Sequence, residues 1–336
     1  MGVSALHDVP LSVLDLSPVV SGSDAATSLR NSLDLARHAE RLGYRRYWVA
    51  EHHNMPGIAS SATAVLMGHI ADATEHIRVG SGGVMLPNHA SLIVAEQFGT
   101  LEALHPGRID LGIGRAPGTD PRTAKALRGH AGPTANDFPQ QLADLVRYFD
   151  HDEERPVNAV VAEGNRPEFW LLGSSGFSAQ LAGQLGLPFS FAHHFSADNT
   201  EPALKLYRES FRPSDVLSEP RVLLGASVLC ADTDDRAEYL ARSQQLNFLS
   251  LRKGNPIPLP SPEEATEYPY TELDRAFIEK NTASAIVGSP ETVRTRLEQL
   301  VADTGADEVI ITTMAHDHAA RVRSYELVAS LTRPDS

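Results

Sequence analysis

A single cysteine, Cys230, stands in a chain of 336 residues, so no disulfide and no multi-thiolate metal centre can form within one chain. It lies inside the apolar run 222–230 and reads as a buried core thiol. Basic residues are also scarce: Lys+Arg 29 against Asp+Glu 43 leaves a formal net charge of −14. Such a balance repels phosphate backbones and anionic lipid headgroups, so neither nucleic acid nor a membrane is an expected partner. No run of 18 apolar residues occurs, and residues 1–14 lack a basic stretch followed by an apolar one. A cytoplasmic location is the expectation. No Gly/Ser-rich or charge-block linker divides the chain, and 42% hydrophobic with 21% charged residues supports one large core.

Short β-rich runs alternate with longer helical patterns from end to end, the mark of a parallel sheet. Eight such runs occur, at 11–16, 46–51, 77–85, 109–115, 168–172, 188–192, 222–230 and 308–313. Between them, segments such as 25–42, 91–104, 178–185, 197–211 and 290–303 repeat apolar residues at three and four spacings. Gly43 and Gly186 mark helix ends, and Pro290 after Ser289 marks a start. Eight strand–helix units predict an α/β fold, a single (β/α)₈ TIM barrel over 1–336 with insertions at the C-terminal rim. An open doubly wound sheet competes, but residues 17–22 do not form the Gly-rich turn it would need after the first strand. Two segments exceed the repeat: an insertion at 118–167 with its own helix near 138–149, and a proline-rich stretch at 253–269. The second is a candidate lid, with a static surface loop as the alternative.

In a barrel the C-terminal ends of the strands face the site. The second strand ends in Glu51-His52-His53, where a histidine can move a proton near neutral pH or can simply pack against the next strand. Adjacent strand residues point to opposite faces, so His52 and His53 are not both expected at the mouth, nor are His193 and His194. Gly82 and Gly83 interrupt the third strand, marking either a bulge or the close approach of something flat. Arg115 ends the fourth, placed to clamp a phosphate or to pair with a carboxylate. After the fifth come Ser174, Ser175, Gly176, Phe177 and Ser178, running into a helix whose first turn offers an anion site or an ordinary Ser175 or Ser178 cap. Adjacent strands bring Arg115 and the Ser/Gly turn together around one phosphate. The glycine-backed strand and a histidine then leave room for a planar ring, as in a bound FMN. His316-Asp317-His318 is the one H-x-H; it reads as helix-end histidines, and no metal site is expected.

Taken together these pieces resemble the bacterial luciferase-like flavin-dependent monooxygenases. The resemblance rests on Ala50-Glu51-His52-His53, the 79–87 strand, Ala95-Glu96 with Leu101, Leu104 and Gly107-Arg108, Gly112-Ile113-Gly114-Arg115, and Gly173-Ser174-Ser175-Gly176-Phe177-Ser178 leading to Gly186-Leu187-Pro188. It spans nearly all of the chain. It implies a homodimeric barrel enzyme that takes reduced FMN from a separate flavin reductase, and passes one oxygen of O₂ to a small organic substrate such as an aldehyde. His52 matches the catalytic histidine of that family. Gly82-Gly83 falls at its non-prolyl cis peptide, Arg115 with Ser174, Ser175 and Ser178 at its FMN phosphate site, and 253–269 near its mobile lid. Gly114 stands where the luciferases carry cysteine and Ser174 where they carry an acid, which removes the implication of light emission and leaves flavin binding. Two alternatives stay open: an F420-dependent oxidoreductase of the same fold, which would favour extra basic residues at the mouth, and a non-catalytic flavin-binding subunit.

Overall fold

A computed structural model describes residues 6–116, 119–129 and 136–332. Ten strands occur among them: β1 Leu11–Asp15, β2 Arg46–Val49, β3 Arg78–Ser81, β4 Val84–Met85, β5 Ile109–Gly114, β6 Glu168–Gly173, β7 Phe189–Ala192, β8 Val222–Cys230, β9 Ile286–Gly288 and β10 Glu308–Thr312. All pair in parallel, in the order β10-β1-β2-β3-β5-β6-β7-β8, and β10 returns to pair with β8. The sheet is therefore a closed eight-stranded barrel with helices in the connections, the expected TIM-barrel fold.

Local chemistry sets the helix boundaries where sequence alone placed them. The Ala25–Leu42 helix opens on Asp24, whose carboxylate accepts from the Thr27 N–H at 2.7 Å, and closes on Gly43 at φ 86°. Ser289 and Pro290 open the Pro290–Thr304 helix, and Gly186 closes Gly176–Leu185 in the left-handed region. Cys230 is buried, and burial pushes its thiol up to about 12, which makes it the inert core thiol expected.

Outside the barrel wall, the apolar faces of the helices cover the strands. Inside, a small cluster of Leu14, Trp48, Trp170, Leu223 and Ile310 fills the middle. Below it, toward the N-terminal ends, the barrel is plugged by charge. The Arg46 guanidinium donates to Glu308 at 3.0 Å and Asp110 at 2.8 Å, and Trp48 Nε1 donates to the same Asp110 at 2.8 Å. Burial works against the Arg46 charge, but Asp110, Glu308 and Glu168 outweigh it and hold the guanidinium more firmly protonated than usual. This plug closes one end, so a ligand can enter only from the other.

The third strand is broken at Gly82-Gly83, and that peptide bond is cis. Val79 faces Ile109 before the break and Val84 faces Ile113 after it, so five residue steps on one strand span four on its neighbour. That is a β-bulge. Neither glycine has room for a side chain: a Cβ on Gly82 would lie 2.6 Å from Leu14 Cδ1, and one on Gly83 2.8 Å from the Gly112 carbonyl oxygen.

The largest addition to the repeat lies between β8 and β10, where the sequence pattern missed β9. It pairs with the far end of β8, Val228 to Ile286 through Cys230 to Gly288. The proline-rich stretch 253–269 also belongs here, and it is docked on the loops that follow β1 and β2. Leu259 is buried and bridges Val20, Asn247 donates to the Ile257 carbonyl at 2.9 Å, and Pro262–Glu267 forms a short helix with a capping box from Ser261 and Glu264. In the insertion 118–167, residues 118 and 130–135 lie outside the described residues. Its Phe138–Arg147 helix buries Phe138, Leu142 and Leu145 against the barrel. No described helix is long and apolar enough to cross a membrane.

Candidate active site

Two cavities open side by side at the C-terminal ends of the strands. The smaller, about 280 Å³, lies over β5 and β6 and is lined by Gly82, Arg115, Ser174, Ser175 and Ser178 with the barrel-centre residues Trp48 and Ile310. The larger, about 580 Å³, has an apolar wall of Leu16, Met85, Phe248, Val287 and Met314. Leu14, His52, Gly82, Met85, His194 and Phe195 line both, so the two meet at a junction flanked by two imidazoles.

The smaller cavity has the donors of an anion site. Ser175 holds the N-cap position of the Gly176–Leu185 helix, yet its side chain makes no cap hydrogen bond. The ordinary-cap alternative therefore fails, and the first-turn N–H groups stay available to a ligand. Ser174 and Ser175 are exposed and Ser178 is buried beside them. Across the cleft, the Arg115 guanidinium lies 4.2 Å over the Phe177 ring and forms no ion pair among the described residues. A pre-oriented cation facing uncapped N–H groups and hydroxyls fits one phosphate. The bulge puts Gly82 backbone on the cavity wall, where a planar ring can lie close. These residues fit FMN.

The second strand ends at Val49, two residues earlier than expected, so Glu51, His52 and His53 sit in the loop after it. Strand alternation does not govern them, although its outcome stands, because only His52 of the two histidines lines the cavities. Glu51 is buried and organises the rim. Its carboxylate accepts from His53 Nε2 at 2.9 Å, His89 Nε2 at 2.9 Å, the Met85 N–H at 3.0 Å and Asn88 at 3.2 Å. Burial pushes the Glu51 carboxyl up, but those hydrogen bonds and the His89 interaction prevail and hold it below its ordinary range. Glu51 thereby ties the His52 loop to the segment just after the bulge.

The seventh strand ends at Ala192, as expected, so His193 and His194 already lie beyond it and strand alternation does not govern them. They divide anyway. His193 Nδ1 bonds Thr200 Oγ1 at 2.8 Å, while His194 turns into the cavity junction. Alternation expected no more than one of the pair at the mouth and did not say which; His194 is that one. None of 253–269 lines the larger cavity; its outer wall comes from 238–248 and 281–287 of the same insertion. Among the described residues no group of three or more His, Cys, Asp or Glu is placed to hold a metal. His316 and His318 bond Ser21 and Asp34 instead.

Residues 9–308 match the family model described as luciferase-like monooxygenase. The chain belongs to the luciferase-like monooxygenase family. A luciferase-like monooxygenase of Escherichia coli (strain K12) is 47% identical over 320 residues, 95% of this chain and 96% of its own. An N-acetyl-S-alkylcysteine monooxygenase of Bacillus subtilis is 35% identical over 328 residues, 96% of this chain and 97% of its own. The crystal structure of apo-MsnO8 superposes with TM-score 0.89 at 39% identity, covering 96% of this chain and 98% of that one. Two more distant structures share the fold alone. One is the oxygenating constituent of 3,6-diketocamphane monooxygenase from Pseudomonas putida in complex with FMN, TM-score 0.69 at 20% identity over 96% and 97% of the two chains. The other is an F420-dependent secondary alcohol dehydrogenase, TM-score 0.67 at 13% identity over 97% and 100%. Members of the luciferase-like monooxygenase family are oxidoreductases acting on small molecules, and its barrel is the one described above.

Proposed function

We propose that this luciferase-like monooxygenase binds reduced FMN and uses it with O₂ to oxygenate a small organic substrate. One observation carries the choice of cofactor: Arg115, unpaired with any described carboxylate, faces the uncapped Ser175 helix terminus across a cavity that continues to His52. Among the described residues that cavity presents one guanidinium, which suits one phosphate better than the longer acidic tail of F420. When bound, reduced FMN supplies two electrons to O₂, so that one oxygen atom goes to the substrate and the other leaves as water.

The protein contributes position, dryness and a proton. Arg115 and Ser174, Ser175 and Ser178 hold the phosphate end, and Gly82 lines the cavity without a side chain, while a side chain on Gly83 would meet the Gly112 carbonyl and Leu172. Leu14 and Met85 give the junction apolar walls that limit water there. His52 stands at that junction as the catalytic proton donor and acceptor, on a loop fixed by Glu51. The reading includes a separate reductase as the source of reduced FMN and a homodimer as the working assembly. The substrate cavity is large enough for the family's small molecules, with an aldehyde as the first candidate.

Titration with oxidised and reduced FMN and with F420, followed by absorbance and fluorescence, tests the cofactor. FMN should bind and F420 bind more weakly; tight F420 binding in its place refutes the cofactor choice, and binding of neither refutes the whole reading. His52→Ala should lower substrate oxidation by about 100-fold with unchanged FMN affinity. Unchanged turnover removes His52 from catalysis.

A further inference from the structure

His194 offers the cavity junction a hydrogen-bond acceptor whose identity is fixed by the backbone behind it. Its own N–H and its ring Nδ1 both bond the Gly225 carbonyl oxygen, each at 3.0 Å. A carbonyl oxygen only accepts, so Nδ1 carries the hydrogen and Nε2 keeps its lone pair. Gly225 makes this approach possible, since a Cβ there would stand 3.0 Å from both Cε1 and Nδ1 of the imidazole. The ring is further held by Phe195, with centroids 4.3 Å apart. Nε2 has no hydrogen-bond partner among the described residues, and His194 lines both cavities. The nearby polar pair in the larger cavity is already satisfied, because Ser227 and Gln244 bond each other at 3.1–3.4 Å. Burial lowers the His194 pKa to about 4, so Nε2 remains an acceptor at neutral pH.

We propose that the substrate is an apolar molecule bearing a hydroxyl or N–H donor, and that His194 Nε2 accepts that hydrogen bond and sets which end of the substrate faces the junction. A molecule filling this cavity displaces the water that otherwise solvates Nε2. If it brings no donor, a desolvated acceptor is left unpaired. The site thus favours substrates, aldehydes included, that also carry a hydroxyl or N–H donor over otherwise similar ones that lack it. The inference rests on the proposed function for what becomes of the substrate, and on His194 alone for how it binds.

The probes are 1-naphthol and 1-methoxynaphthalene, which differ in the donor and fit within the 580 Å³ cavity. Their fluorescence is titrated against the full chain, with and without saturating oxidised FMN so that no turnover occurs. Naphthol should bind about tenfold more tightly than its methyl ether. His194→Phe, which keeps a ring and loses the acceptor, should reduce that preference to under about twofold. Equal affinities in the wild-type protein, naphthol binding absent at 1 mM (a concentration of about 10⁻³ M, the weak limit of specific binding), or a preference that survives in His194→Phe each overturn the inference. The wild-type comparison needs no variant to fold. Failure of FMN to bind refutes the proposed function, while the FMN-free arm still ranks the two probes.

Discussion

Replacing Arg115 by Gln separates phosphate recognition from ring recognition. The guanidinium is partly buried, stacked 4.2 Å over Phe177, and spends its charge on no described carboxylate. Its interaction with a phosphate is therefore not discounted by an internal rival. A hydrogen bond to a charged group contributes roughly 1.5–3 kcal/mol net. Partial exposure places this one near the lower end, so Arg115→Gln should weaken FMN binding by about 10–30-fold. Riboflavin has the same ring and no phosphate, and its affinity should change by less than about twofold. The assay is quenching of flavin fluorescence at fixed ionic strength, with both flavins titrated against both proteins. Raising the salt from about 0.05 to about 0.5 M should narrow the wild-type preference for FMN, because screening acts on the phosphate contact and leaves ring burial alone. Equal losses for FMN and riboflavin would show that Arg115 supports the cavity without holding a phosphate, and no loss at all would remove it from the site.

Other perturbations test the frame around that contact. Arg46→Met should destabilise the barrel by roughly 3 kcal/mol, the low end for a broken buried pair, since Asp110 keeps Arg78 and Glu308 keeps the more distant Arg45 and Arg221; urea denaturation measures it, and a loss under 1 kcal/mol (roughly that of an exposed pair) would contradict the plug. Gly83→Ala should cost about 1–3 kcal/mol of stability and weaken flavin binding, because the new Cβ meets the Gly112 carbonyl oxygen at 2.8 Å. Two pH effects follow from the shifted groups, both read as stability against pH. Glu51 is lowered in the folded state, so its contribution is complete above its ordinary value near 4.5 and is lost as pH falls through the lower folded-state value; Glu51→Gln should remove that acid limb. His194 resists protonation down to about 4 while the unfolded imidazole titrates near 6.5. Stability should therefore decline as pH falls from 6.5 toward 4, and His194→Phe should flatten that part of the curve.

The barrel and most of its strands were legible in the sequence because hydrophobic periodicity and helix caps are local properties. Gly43, Ser289 with Pro290, and the Gly82-Gly83 interruption all declare themselves within a few residues of chain. So did the residues brought to the cavity, His52, Arg115 and the 174–178 turn, since the strand ends that carry them follow from strand order alone. Tertiary structure decided what depends on partners distant in sequence. It turned the Glu51 carboxylate inward to meet His53, His89 and Met85, which no count of adjacent histidines reveals. It chose His194 over His193 for the cavity and gave its ring to the Gly225 carbonyl, 31 residues away, where alternation said only that the two would not both be there. It also docked the proline-rich stretch against Val20 and Asn247 and built the outer wall from 238–248 and 281–287, because burying Leu259 fixes that segment and proline content by itself does not. Periodicity sets where strands and helices run; what a polar side chain does at their ends is set by whichever backbone group lies across the fold from it.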